Sequence, residues 1–137
     1  MSTLSDFITK NDVESTHNRI SVDDLAAIQK ELGISFGSQL SKYVLEFGYL
    51  AFGSIELYGI NSRQGSASDM IKQTRYLHDY YPCTNPFVAL ENRGDGDYYV
   101  VDSRDNVFEF IPDQNNELKD TGMVLFDYIL KRFEEER

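Results

Sequence analysis

The 137-residue chain has one cysteine, Cys83, and no tryptophan. A single thiol cannot form an intrachain disulfide or a multi-cysteine zinc site, and such sparing use of cysteine is typical of a reducing compartment. We therefore expect a cytoplasmic domain that folds without covalent or metal cross-links. Nine tyrosines, nine phenylalanines and a hydrophobic fraction of 41% supply the apolar surface for one core.

Basic residues are scarce, since 13 lysines and arginines stand against 23 aspartates and glutamates, a formal net charge of −10. Nucleic acids and anionic membranes are bound through clustered basic side chains, so we expect neither as a partner. A charged partner should be basic. Residues 91–137 contain thirteen acidic and six basic residues, whereas residues 32–90 contain four of each. Two interpretations stay open: a solvated surface that keeps the chain soluble, or a negative face built from the last third.

Long apolar runs are missing too. No stretch approaches the roughly 20 apolar residues that a spanning helix needs. The first six residues, MSTLSD, lack the basic and apolar regions of a signal peptide. We expect neither export by a classical signal nor insertion into a membrane.

Catalytic and metal-binding signatures are likewise scarce. The residues that could form a nucleophile–base pair or a metal site, His17, His78 and Cys83, stand outside any recognised motif, and no phosphate-binding glycine loop is present. The acidic turn at residues 94–97, GDGD, lacks the spacing of an EF-hand loop, because Tyr99 stands where an oxygen ligand is required. We expect no enzyme, no metal and no cofactor. A pocket that brought His78 and Cys83 within hydrogen-bonding distance would favour an enzyme instead.

The apolar spacing predicts helices at both ends of the chain. Ser21 is placed to cap a helix that ends at Gly33, and Ser38 a second that ends at Gly48. A third helix begins after Asp69 and stops before Pro82, and a terminal helix follows the polar residues 113–120. Residues 1–20 are an extension or contain a short helix.

Strands are predicted between these helices. Alternation over residues 51–60 indicates one strand with two differently used faces, and residues 87–90, 97–101 and 107–111 indicate three sequential antiparallel strands. Residues 102–106, DSRDN, have the composition of a hairpin turn. The order predicts a single α+β domain over residues 1–137, in which N-terminal helices and a C-terminal helix pack on one antiparallel β-sheet.

Several segments resemble the SUKH superfamily, which includes bacterial immunity proteins against polymorphic toxins and fungal regulators of cell-wall assembly. The resemblance runs from about Val22 to Phe133 and rests on the order of four motifs: FGSQLSKYVLEFG at 36–48, IELYGI at 55–60, GDGDYYVVD at 94–102 and LFDYIL at 125–130. Gly37 stands where the family usually has proline.

The resemblance implies a protein that binds and neutralises a toxin domain, commonly a nuclease, without catalysis. Nucleases present basic clefts to phosphate, so an acidic inhibitor has the complementary charge. Exposed tyrosines beside carboxylates are typical of protein-binding surfaces. The residues predicted to contact the partner are Glu56, Tyr58, Glu91, Asp95, Asp97 and Tyr98. The alternative is a regulatory or scaffold module like the fungal relatives.

Overall fold

The computed structural model describes residues 3–16, 20–60, 69–94 and 96–137. Within these ranges the helices are α1 (Leu4–Lys10), α2 (Val22–Leu32), α3 (Ser38–Glu46), α4 (Met70–Tyr80) and α5 (Leu125–Glu136). The strands are β1 (Ala51–Phe52), β2 (Ile55–Glu56), β3 (Val88–Asn92), β4 (Tyr98–Val101), β5 (Asn106–Ile111) and β6 (Glu117–Val124). The predicted α+β class is confirmed.

Local sequence signals begin and end most of the helices. The Ser21 hydroxyl accepts a hydrogen bond from the Asp24 amide, and the Asp24 carboxylate accepts one from the Ser21 amide in return. Gly33 ends the same helix in the left-handed conformation, with φ of 71°. Thr3 caps α1 and Asp69 caps α4. The short N-terminal helix and the helices that follow Ser21 and Asp69 are therefore confirmed.

Helix α3 is capped differently from the prediction. Its N-cap residue is Gly37 and Ser38 is the first helical residue, so the expected Ser38 cap is wrong. The buried carboxylate of Asp105 takes the capping role, accepting hydrogen bonds of 3.0 Å from the Gln39 and Leu40 amides. A Cβ atom on Gly37 would lie 2.3 Å from Asp105 Oδ1, so only glycine admits the carboxylate. The cap comes from the β4–β5 turn, more than sixty residues away.

Residues 51–60 form a short hairpin, not the single strand that was predicted. Strands β1 and β2 pair antiparallel, with Phe52 opposite Ile55. The chain reverses at Gly53, where φ is 59° and glycine avoids the strain of the left-handed region. Beyond the hairpin the Tyr58 amide donates to the Leu90 carbonyl at 2.8 Å, which ties this segment to the main sheet.

The main sheet is antiparallel, in the order β3-β4-β5-β6. Strand β6 was not predicted, because residues 113–120 are polar and none of the residues of β6 is fully buried. Asn115 and Asn116 form the turn before it, both with φ of 57°. Asparagine is one of the few residues that tolerates this conformation.

The helices cover the sheet through aromatic contacts. Tyr128 of α5 lies 4.7 Å from Tyr99 between ring centroids, and Phe133 of the same helix is fully buried. Tyr81, the residue that ends α4, packs 5.1 Å from Phe110. Since Phe110 pairs with Tyr98, and Tyr98 and Tyr99 point to opposite faces, the ends of these two helices contact opposite faces of the sheet. Among the residues described, no helix is long and apolar enough to cross a membrane.

Candidate functional site

The residues predicted to contact a partner do not form one exposed face, because Tyr58 and Glu91 are buried. Glu56 is exposed on β2, as expected. Asp97 and Tyr98 lie half-buried where β4 begins. Asp95 lies outside the residues that the structure describes. The structure therefore does not bring these residues together as one face, and their contact with a partner stays a prediction.

Glu91 is a buried residue, with 3% of its surface exposed, so the expectation of an exposed strand residue is wrong. Its carboxylate accepts hydrogen bonds from the Tyr128 hydroxyl at 2.6 Å and from Arg132 Nη2 at 2.5 Å. The physical reason is a β-bulge between Ala89 and Glu91, which interrupts the alternation of β3 and turns Glu91 beneath α5. Alternation alone could not reveal it.

The surroundings of Glu91 explain how its charge is tolerated. The Tyr99 ring lies near two guanidinium groups, 5.6 Å from Arg93 and 5.9 Å from Arg132. Burial raises the pKa of Tyr128, and the hydrogen bond to Glu91 raises the pKa of Arg132. Tyr128 therefore stays a neutral donor and Arg132 a cation. Glu91 thus has a structural role that joins α5 to the sheet.

Tyr58 is buried as well, with 6% exposed. Its carbonyl oxygen accepts a hydrogen bond of 2.7 Å from the Tyr43 hydroxyl, which in turn accepts one of 3.2 Å from the Leu50 amide. Burial raises the pKa of both tyrosines. Tyr58 therefore belongs to the core between α3 and the hairpin.

Asp97 and Tyr98 have close neighbours within the chain. The Asp97 carboxylate lies 4.0 Å from Arg93 Nη1, and the same guanidinium pairs with Glu109. Burial raises the pKa of Tyr98, and the nearby phenol groups of Tyr76 and Tyr81 raise it further. Tyr98 therefore lies beside α4, at the border of the exposed surface.

Glu56 lies beside two further carboxylates that the sequence did not single out. Asp12, Glu14 and Glu56 are all exposed and line a groove of about 450 Å³. We call it the acidic groove. Its floor is the β1–β2 hairpin, and the remaining lining residues are Ala51, Phe52, Gly53, Ser54 and Ile55.

Backbone and side-chain bonds hold the acidic groove in place. Glu14 and Ala51 exchange two backbone hydrogen bonds of 2.8 and 3.0 Å, so the segment before α2 adds to the edge of the hairpin. The Tyr49 hydroxyl donates to Glu14 Oε2 at 2.6 Å, and this bond raises the pKa of Tyr49 to about 12. The alternation Asp12-Val13-Glu14 was the one sequence signal for this edge.

The hairpin is also linked to the end of α5. Glu136 Oε1 accepts hydrogen bonds from the Ser54 amide at 2.7 Å and from the Ser54 hydroxyl at 2.8 Å. These bonds lower the pKa of Glu136. A fourth carboxylate therefore lies next to the acidic groove, although its oxygen is occupied by Ser54.

A second surface lies along α4. Tyr76 and Tyr80 are 42% and 69% exposed, and their rings lie 4.8 Å apart between centroids. We call the exposed side of this helix the tyrosine face; its residues are Lys72, Arg75, Tyr76, Asp79 and Tyr80. Of the adjacent pair Tyr80 and Tyr81, only the ring of Tyr80 is exposed, because Tyr81 packs on the sheet.

The possible catalytic residues have other partners. His78 Nε2 lies 2.8 Å from the Phe87 carbonyl oxygen, and Cys83 Sγ lies 4.0 Å from the Asn116 carbonyl oxygen. His17 lies outside the described residues. No group of three or more histidine, cysteine, aspartate or glutamate side chains that could hold a metal occurs in the described part of the chain.

Comparison with known proteins adds to this picture. No curated protein matches the sequence. A crystal structure of a protein from Pseudomonas syringae pv. tomato has a similar fold, with a TM-score of 0.59 and 18% sequence identity over 77% of this chain and 79% of that one. The model of the SUKH_5 family, described as SMI1-KNR4 cell-wall, matches residues 3–134. Because that match spans nearly the whole sequence, the chain belongs to the SUKH_5 family.

Proposed function

We propose that this protein is an immunity protein, which binds a toxin domain and blocks it by protein–protein contact. Membership of the SUKH_5 family is consistent with an immunity-type protein. The acidic groove is the main observation in support of the proposal, because its three exposed carboxylates can form ion pairs with basic side chains of a partner. Such a mechanism requires a fitted surface and no catalytic group.

The acidic groove replaces the six residues predicted from the sequence as the centre of the proposed contact. Glu56 is the member common to both. Glu14 is oriented by Tyr49 and by its backbone pairing with Ala51, so little side-chain freedom is lost when a partner binds. Asp97 and Tyr98 remain proposed contacts at a separate place on the surface. Tyr58 and Glu91 support the fold from inside.

The charge of the chain favours a basic toxin, and a nuclease is the proposed class. A nuclease cleft is positive because it binds phosphates, so the net charge of −10 would steer the two proteins together. Covering that cleft excludes the nucleic acid substrate. Steering of this kind weakens as salt screens the charges, with a Debye length of about 8 Å at physiological ionic strength.

The words "cell-wall" in the family description favour a second candidate, a regulatory or scaffold module that binds another protein of its own cell. Both candidates use a protein partner. They differ in whether the partner is toxic without this chain, which a growth assay decides.

Co-expression with a toxin tests the proposal. The C-terminal domain of a candidate toxin is induced in cells with and without this protein, and the complex is then isolated at low and at high salt. We expect normal growth only when both are present, and a complex that weakens as salt rises. Growth arrest in both strains, with no complex at low salt for any candidate toxin, would contradict the proposal.

A further inference from the structure

The tyrosine face of α4 is an unusual exposed surface. Large apolar side chains exposed in the described residues are Val22, Tyr76 and Tyr80, and two of the three lie one turn apart on this helix. The opposite side of α4 is buried in the core through Met70, Ile71, Thr74 and Leu77. Exposed tyrosines in contact with each other are typical of the centre of a protein interface, where they supply rigid contact area.

The order of charges along the tyrosine face is self-complementary. Lys72 lies near the N-terminal end and Asp79 near the C-terminal end, seven residues apart and therefore on the same side after two turns. Arg75 lies between them. An antiparallel copy of the same helix would place positive charge opposite negative charge at both ends.

The geometry fixes how two such helices would meet. A two-fold axis that passes between Arg75 and Tyr76 places Lys72 of each copy opposite Asp79 of the other. The same axis places each Arg75 guanidinium against the Tyr76 ring of the other copy, an arrangement that allows a cation–π contact. Arg75 is also paired with Glu31 of its own chain, which keeps the guanidinium on this side of α4.

The distribution of charge selects a copy of this chain as the occupant. Residues 32–90, which contain α4, have four acidic and four basic residues, whereas the rest of the chain accounts for the whole net charge of −10. Two copies would repel each other through most of their surface. Contact through the tyrosine face avoids this electrostatic repulsion.

We propose that a second copy of this protein docks on the tyrosine face, so that two antiparallel α4 helices form a two-fold symmetric dimer. A groove of about 520 Å³ on this face, lined also by Asp69 and Ile71, receives the tyrosine rings of the other copy. The acidic groove shares no lining residue with this surface. The two grooves are therefore built from different residues, and Tyr98, a separate proposed toxin contact, lies at the border of the tyrosine face.

Charge reversal tests the pairing directly. Lys72→Glu alone and Asp79→Lys alone each place like charges opposite each other, so the dimer dissociation constant should rise at least about tenfold in sedimentation velocity runs from micromolar to millimolar protein. An equimolar mixture of the two variants restores both opposite-charge pairs and should regain the dimer. A mixture no more dimeric than either variant alone would overturn the proposal.

The tyrosines provide a second test. Tyr76→Ala with Tyr80→Ala should raise the dissociation constant at least about 30-fold, as expected for two central aromatic residues. Both side chains are exposed, so the thermal unfolding midpoint of the monomer serves as the folding control. An unmodified protein that is monomeric at every concentration would overturn the proposal.

Discussion

At the scale of single residues, Asp105 shows how a local element can depend on a distant side chain. Asp105→Ala removes the acceptor for two amides of α3 and should lower the free energy of unfolding by about 2 kcal/mol. Gly37→Ala should also be destabilising, because its Cβ would meet the Asp105 carboxylate. Urea unfolding of each variant measures both costs.

The variant that combines Asp105→Ala with Gly37→Ala tests whether the clash between these two residues causes the loss of stability. In the Asp105→Ala background the carboxylate is gone, and Gly37 has an ordinary φ of −66°, so Gly37→Ala should cost little there. The strain of placing alanine at position 105, where φ is 66°, is common to both arms of the cycle. Additive costs would show that the two residues do not interact.

The buried Glu91 carboxylate gives a second prediction at this scale. Glu91→Ala leaves Arg132 and the Tyr128 hydroxyl without their acceptor, so the free energy of unfolding should fall by about 3 kcal/mol. Glu56→Ala is the matched control, since that exposed glutamate should change stability by less than about 0.5 kcal/mol. Equal stability of the two variants would mean that the Glu91 cluster does not hold α5 to the sheet.

These residues also show where sequence reasoning reaches its limit. The Ser21 cap and the Gly33 stop were predictable, because each acts on amides or angles within a few positions. The Asp105 cap and the Glu91 bulge depend on contacts between distant segments. A hairpin-turn composition predicted the turn at Asp105 and gave no sign that its carboxylate faces α3.

At the scale of elements, the contact between Glu136 and Ser54 links α5 to the β1–β2 hairpin and is sensitive to pH. The pKa of Glu136 is lowered from its ordinary value of 4.5, so the contact stabilises the fold above that pH and is lost as pH falls through the lowered pKa. In an NMR titration the Glu136 carboxyl should titrate below 4.5, and the Ser54 amide shift should follow it. In Ser54→Ala, which removes the hydroxyl donor, that pKa should move back toward 4.5. A Glu136 pKa that is the same in both proteins would contradict the hydrogen bond from the Ser54 hydroxyl.

The elements themselves were predicted unevenly. Helices α2, α4 and α5 combine apolar spacing with clear ends, and strands β3, β4 and β5 combine apolar runs with turn residues. Strand β6 has no fully buried residue and is held by backbone pairing with β5. Backbone hydrogen bonds between strands do not require an alternation of apolar side chains, so no pattern in the sequence indicated this strand. The hairpin at residues 51–60 was taken as one strand because the reversal at Gly53 occupies only two residues.

At the scale of the whole molecule, the fold brings three of the acidic side chains together in the acidic groove. One of the two interpretations of the sequence placed a negative face in the last third of the chain, whereas the acidic groove unites Asp12 and Glu14 with Glu56 through pairing at the hairpin edge. Only the fold could bring these segments together. The neutral middle of the chain carries the tyrosine face, so the surface proposed for a toxin and the surface proposed for a second copy are chemically distinct.

The most direct test of the account is the affinity of the toxin for a variant whose acidic groove is neutral. Asp12→Asn, Glu14→Gln and Glu56→Gln together should raise the dissociation constant at least about 30-fold, the equivalent of about 2 kcal/mol. The matched control is Asp113→Asn, Glu117→Gln and Asp127→Asn, which removes the same charge from other exposed positions. At physiological salt, titration calorimetry should show near-native affinity for the control, because its charges are screened from the groove. Equal affinity of the two variants would contradict binding through the acidic groove.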